Sequence, residues 1–170
     1  MESKAKLLGH PIHQMVIVFP LGLLTTATIF DGVRGVTRDR AWSDAAYRLL
    51  QAGVLSGALA SIPGIIDYWK IPRATRAKRI GLWHGLGNTL ALGLFGASLA
   101  ARRRARSRPS TGAVALSVAG SCIAMMTGWL GGELVGRLGV GVNDGAHLDA
   151  PNSITHERVT HIQEQGTEVA

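Results

Sequence analysis

Four apolar blocks, each near the length of a membrane span and each set off from the next by cationic residues, constrain this chain more than any other feature. They run from Met15 to Phe30, Tyr47 to Ile66, Ile80 to Ala101 and Gly112 to about Val135. A helix rises about 1.5 Å per residue, so about 20 apolar residues cross about 30 Å of hydrocarbon. The first block is short, but a helix starting near Pro11 gains the missing turn, and proline suits the first helical position because no donor is lost there. The expectation is an all-α four-transmembrane-helix bundle of up-down topology over residues 1–142. Residues 143–170 are polar, with Gly, Pro, Asn and Ser scattered among mixed charges, and read as a flexible tail. Within that tail His156 and His161 superficially resemble a zinc-protease helix motif, but they are five apart where the motif needs four.

Composition agrees with a bilayer setting. Only 17% of residues are charged, and the apolar 46% is gathered into blocks rather than spread in amphipathic stripes. One cysteine, Cys122, excludes a disulfide framework and a cysteine-cluster metal site. A net charge of +7 would suggest nucleic acid if the arginines formed one face of a folded domain. They lie between the apolar blocks instead, as in membrane proteins, so the expected partner is the lipid bilayer and not nucleic acid. A cleaved signal peptide does not account for the first block, because three more blocks follow and no clear small-residue cleavage site is present. Cationic residues divide almost evenly between the two membrane faces, so the positive-inside rule sets no orientation.

Four spans put both termini and the Lys70–Arg79 connection on one face, and the Asp31–Asp44 loop and the cluster Arg102–Arg108 on the other. Tyr68, Trp69, Trp83 and Trp129 then mark one interface, Trp42 and Tyr47 the opposite one. Pro20 and Pro63 fall inside spans, where kinks are tolerable. Glycines four apart, at Gly53 and Gly57, Gly81 and Gly85, and Gly128 and Gly132, read as sites of close helix approach.

On this topology the ionisable intramembrane residues collect at the terminal face. His10 and His13 open span one, Asp67 ends span two, His84 lies about one turn into span three, and Glu133 is near the end of span four. The opposite half of the bundle is expected to hold only hydroxyls, one thiol and glycine. Ionisable side chains at membrane depth are functional candidates by default. Spans one and three run parallel and can lie diagonally, so His13 and His84 can face each other across the core. Two imidazoles in that position suit haem b, with Gly81, Gly85 and Gly87 providing space beside His84, or a transition metal completed by His10, Asp67 or Glu133. The alternative is a non-catalytic structural or partner-binding membrane protein. In that reading the histidines bond to each other, to Asn88 or to Asp67, and Glu133 pairs with Arg137 at the favourable four-residue spacing. Chemistry on a quinone or lipid is a third reading. No nucleophile with a base and no phosphate-binding loop points to an enzyme.

The same residues carry a family resemblance. Gly9-His10-Pro11-Ile12-His13 followed by Phe19-Pro20-Leu21-Gly22, Pro63-Gly64 with Asp67-Tyr68, Gly81-Leu82-Trp83-His84, and Gly128-Trp129-Leu130-Gly131-Gly132-Glu133-Leu134 with Gly139-Val140-Gly141-Val142 resemble DUF2231. This is a bacterial membrane-protein family whose title records a domain of unknown function. The resemblance spans Leu7 to Val142 and implies a multi-pass protein of the bacterial inner membrane. Some relatives are fused to Rieske-type iron-sulfur domains, which implies association with electron transfer and a redox partner protein. This chain has too few cysteines for such a cluster, and Gln14 stands where many relatives have a second proline.

Overall fold

The computed structural model describes residues 1–154. Residues 155–170 of the expected tail, with His156 and His161, lie outside the described residues. A short antiparallel hairpin, β1 (Lys6–Leu7) and β2 (His10–Pro11), leads into α1 (Ile12–Val16) and α2 (Val18–Thr37), followed by α3 (Arg40–Lys70), α4 (Arg76–Ala101) and α5 (Thr111–Gly132). A π turn over Glu133–Arg137 ends the last helix. Three stretches, Ile12–Thr37, Arg40–Lys70 and Thr111–Arg137, are long and apolar enough to cross a membrane. α4 matches them in length, but Arg76, Lys78, Arg79, His84 and Asn88 dilute its apolar content.

Several boundaries differ from the sequence reading. Pro11 is not the first helical residue: it has extended backbone and stands just before α1. Pro20 supplies no N–H for the Val16 carbonyl, and the first helix is interrupted nearby, at Ile17. The loop expected to begin at Asp31 begins seven residues later. Gly32 and Gly35 are carried within the helix, and α2 continues until Arg38 adopts a left-handed conformation (φ 62) and Asp39 caps α3 through the Ala41 amide.

The four long helices form two hairpins. α2 packs mainly on α3 and α4 mainly on α5, while the α3–α4 and α2–α5 seams are looser. The hairpins are copies of one arrangement. Buried Pro20, Leu24, Ala27 and Asp31 of α2 correspond, seventy-one positions on, to buried Ala91, Phe95, Ser98 and Arg102. Buried Ala46, Leu50, Gly53 and Ala60 of α3 correspond, sixty-seven positions on, to buried Ala113, Ser117, Gly120 and Thr127. Both hairpins run the same way, so the repeat is parallel, with its pseudo-two-fold axis along the bundle.

Packing follows the repeat. Leu24 fills the space above Gly53, and Phe95 fills the equivalent space above Gly120. A core of Leu24, Ala27, Ala46, Leu50 and Phe95 lies where the hairpins meet. Of the expected close-approach glycines, Gly53, Gly57 and Gly81 do face neighbours, whereas Gly85, Gly128 and Gly132 have open space. Cys122 points out of the bundle rather than into its core, and Tyr47 is buried beneath the Arg106 guanidinium instead of lying in an interfacial belt.

The expectation that the half of the bundle away from the termini holds only hydroxyls, a thiol and glycine fails at Asp31 and Arg102, which are 4% and 0% exposed. The helical extension of α2 turns Asp31 inward, where it forms a two-pronged ion pair with Arg102 across the seam (2.7 and 2.5 Å).

At the terminal end the chain's first residues are tied to those after α5. The Met1 ammonium donates to the Gly139 carbonyl, the Gly141 amide to Met1, and the Asn143 side chain to Gly9, whose positive φ closes the β1–β2 turn. Glu2 accepts from Lys6 and from the Asp144 amide. The Lys6 hydrogen bond, followed by that amide, holds the Glu2 carboxyl below its ordinary 4.5. A lowered folded-state value means that the charged form's contribution is complete above the unfolded value and is lost as pH falls through the folded one. Hydrogen-exchange protection of the Asp144 amide is therefore expected to be full at neutral pH and to fall below about pH 4.5. In Glu2→Ala, which leaves no acceptor for that amide, it should be low throughout.

Candidate functional site

The two histidines singled out in the sequence come together. His13 lies on the first turn of α1 and His84 in the third turn of α4, at equivalent positions of the repeat and across its axis. Their ring centroids are 6.4 Å apart and their planes perpendicular. Both rings are half-buried.

Each imidazole is fixed in the same way by the partner helix of its own hairpin. His13 Nδ1 is 2.9 Å from the Ala60 carbonyl, and His84 Nδ1 is 2.8 Å from that of Thr127. A carbonyl can only accept, so Nδ1 carries the proton and Nε2 the lone pair in both neutral rings. One turn beyond each carbonyl is a glycine on which the ring rests. A Cβ at Gly64 would lie 2.9 Å from His13 Nδ1, and one at Gly131 would lie 3.1 Å from His84 Cε1. Pro63 explains part of the first half-site: it removes a rung from the α3 ladder and leaves carbonyls near Ala60 open to a side-chain donor.

The halves differ at Nε2. Asn88 Nδ2 donates to His84 Nε2 (3.1 Å), and the Thr127 hydroxyl donates to Asn88 Oδ1 (2.6 Å), so His84, Asn88 and Thr127 close a ring of hydrogen bonds. His13 Nε2 receives no hydrogen bond among the described residues.

The other residues expected at a metal site have separate partners. His10 is exposed in β2 and bonds through Nε2 to Ser153 (3.1 Å). Asp67 is buried and collects the N-terminal segment: Ser3 Oγ and the Lys4 amide reach it at 2.6 and 2.7 Å. Glu133 pairs with Arg76 at 2.6 Å, a contact not anticipated, and more loosely with Arg137 at 3.8 Å. Among the described residues no three His, Cys, Asp or Glu side chains form a metal-holding group. The glycines expected to make room beside His84 divide: Gly81 is taken by Tyr68 and Gly87 by Thr127, while Gly85 is open.

The sequence reading missed the Asp31–Arg102 pair and the second half of each histidine site, Ala60 with Gly64 and Thr127 with Gly131. The repeat is the signal that finds them. Leu21-Gly22-Leu23 recurs as Leu92-Gly93-Leu94, Ala52-Gly53 as Ala119-Gly120, and Gly64 as Gly131. Asp31 and Arg102 each follow their histidine by eighteen residues.

A family model described as "Predicted membrane protein (DUF2231)" matches residues 9–144, most of the chain. No curated protein and no solved structure matches it.

Proposed function

The chain belongs to this family of predicted membrane proteins, and we propose that it is a redox-linked, multi-pass subunit of a bacterial cell membrane that holds a transition-metal centre between His13 and His84. The observation that carries this reading is the matched presetting of the two imidazoles. Both Nδ1–H groups are held by backbone carbonyls, which puts the lone pair on Nε2 in each ring; His13 Nε2 is unengaged among the described residues, and His84 Nε2 accepts from the Asn88 amide, which a ligand would have to displace. This second-sphere arrangement is the one metal-binding histidines use.

The donor set narrows the choice of centre. With two neutral imidazoles and no third His, Cys, Asp or Glu grouped with them among the described residues, a closed four-ligand zinc site is not supported. Haem b brings its own four nitrogens and needs only two axial ligands. The 6.4 Å between ring centroids is close to what two metal–nitrogen bonds of about 2 Å plus the ring radii require. Such a centre would supply one-electron transfer. The protein's part is to fix both rings and to keep Asp67 and Glu133 engaged elsewhere, Asp67 by hydrogen bonds from Ser3 and Lys4 and Glu133 by its ion pair with Arg76.

A second reading is favoured by one contact, the Asn88 amide on His84 Nε2. Here the histidines fasten the hairpins together and bind nothing. The readings separate in the optical spectrum of purified, detergent-solubilised variants. Under the first, His13→Ala and His84→Ala each lose the Soret band or the bound metal, and His10→Ala keeps it. Asn88→Ala frees His84 Nε2 and retains or strengthens the signal. Variants that stay folded with a signal identical to the parent's, or with none in any of them, decide for the second.

A further inference from the structure

The α3–α4 turn carries a cationic cavity that the histidine site does not use. It has a volume of about 470 Å³ and lies between Tyr68, Arg73, Thr75, Arg76, Lys78 and Arg79. That volume is in the range of small-molecule pockets. Four of these six residues are cations. Among the described residues one carboxylate, Glu133, reaches them and is engaged by Arg76. Lys78 is anchored, its ammonium donating to the Tyr68 carbonyl (2.7 Å) and lying 3.7 Å above the Tyr68 ring. Arg73 and Arg79 are exposed and form no ion pair among the described residues. The cavity also adjoins the start of the 26-residue α4, where the helix dipole adds positive potential.

Aromatic and apolar side chains surround this charge. Trp69 is 70% exposed and Trp83 59% exposed, and each follows a residue of the cavity wall, Tyr68 and Leu82. Exposed tryptophans of this kind lie at headgroup level in a bilayer. Free arginines, an anchored lysine and interfacial tryptophans at one depth meet both halves of a lipid, its phosphate and the start of its chains.

We propose that the α3–α4 turn is a binding site for an anionic phospholipid, with Arg73 and Arg79 holding the headgroup phosphate and Lys78 and Tyr68 forming its floor. Arginine suits this role because its planar donors pair with phosphate oxygens two at a time.

The test is native mass spectrometry of the full chain in detergent, offered equal amounts of phosphatidylglycerol and phosphatidylcholine, with helicity confirmed by circular dichroism. The parent protein should retain phosphatidylglycerol preferentially. Arg73→Gln with Arg79→Gln should lower that preference on the order of tenfold, given the contribution of each interfacial cation. Arg103→Gln with Arg104→Gln, at the opposite end of the bundle, should leave it unchanged. The proposal is overturned if the first pair of substitutions leaves the preference intact, or if the second pair lowers it equally. Displacement of the lipid by an equal concentration of inorganic phosphate would also overturn it, by marking a soluble-anion site.

Discussion

Replacing Arg102 by methionine while Asp31 stays in place is expected to cost about 3–5 kcal/mol, a large share of the roughly 5–15 kcal/mol that holds a folded domain together. Arg102 is fully buried and uses its whole fork. Two bonds go to the Asp31 carboxylate, and its Nε and Nη2 reach Ser98 and Ser117 at 3.1 and 3.2 Å. Ser98 in turn donates to the Ala113 carbonyl at 2.6 Å, so the network ties α2, α4 and α5. Removing the guanidinium strands a carboxylate where no water reaches it. Arg102→Met with Asp31→Leu removes both charges and should recover most of the loss, because an ion pair replaced by packed apolar groups is often neutral or better. Reversing the pair, Asp31→Arg with Arg102→Asp, should recover only part. The repeat puts Ala27 and Leu50 beside position 31, where Ser98 and Ser117 stand beside position 102. Unfolding by denaturing detergent, followed by circular dichroism, gives all three values. Equal stability of Arg102→Met and the parent would contradict this role for the pair.

The second large effect is expected at a glycine. Gly64→Ala should favour α3 by about 1 kcal/mol on helix propensity alone. The added Cβ, however, lies 2.9 Å from His13 Nδ1, which is held by the Ala60 carbonyl and cannot give way without breaking that bond. The expected net result is a loss of about 1–3 kcal/mol together with loss of anything bound at His13. Gly131→Ala, whose Cβ lies 3.1 Å from His84 Cε1, should show a milder form of the same effect. Gly128→Ala and Gly132→Ala meet nothing within 4 Å and should be neutral or stabilising. Midpoint shifts of these four variants separate a ring-seating role from generic helix packing. If all four behave alike, the glycines do not seat the rings.

Much of this was legible in the sequence because the controlling physics is local. Apolar length fixes the four long helices, and their up-down order puts His13 and His84 at one end on diagonal helices. From there, facing each other is a matter of helix phase. The buried pair was hidden because Asp31 follows an apolar block and Arg102 opens an arginine cluster, so both look like loop charges until α2 is seen to run on to Thr37. The repeat was hidden for a different reason. Corresponding positions share burial and size rather than identity, as with Leu24 and Phe95 or Ala27 and Ser98, and the separation changes from seventy-one to sixty-seven because the turns differ in length. The Asp67 clasp on Ser3 and Lys4 depends on chain-end contacts that no helical pattern announces.

The repeat also gives the histidines a physical context. One half-site recurs in each hairpin: an imidazole, a carbonyl one helix away and a glycine one turn further. The axis then brings the two together, so a symmetric ligand would meet two equivalent nitrogens. Asn88 breaks the symmetry on one side, since its amide occupies His84 Nε2 while His13 Nε2 has no such partner among the described residues.

The most direct measurement is the haem and metal content of the purified, folded parent protein, by reduced-minus-oxidised spectroscopy and elemental analysis of one sample. The account predicts about one haem or one transition-metal ion per chain. A colourless, metal-free protein with full helical content, which takes up neither haem nor metal when they are added, would contradict it.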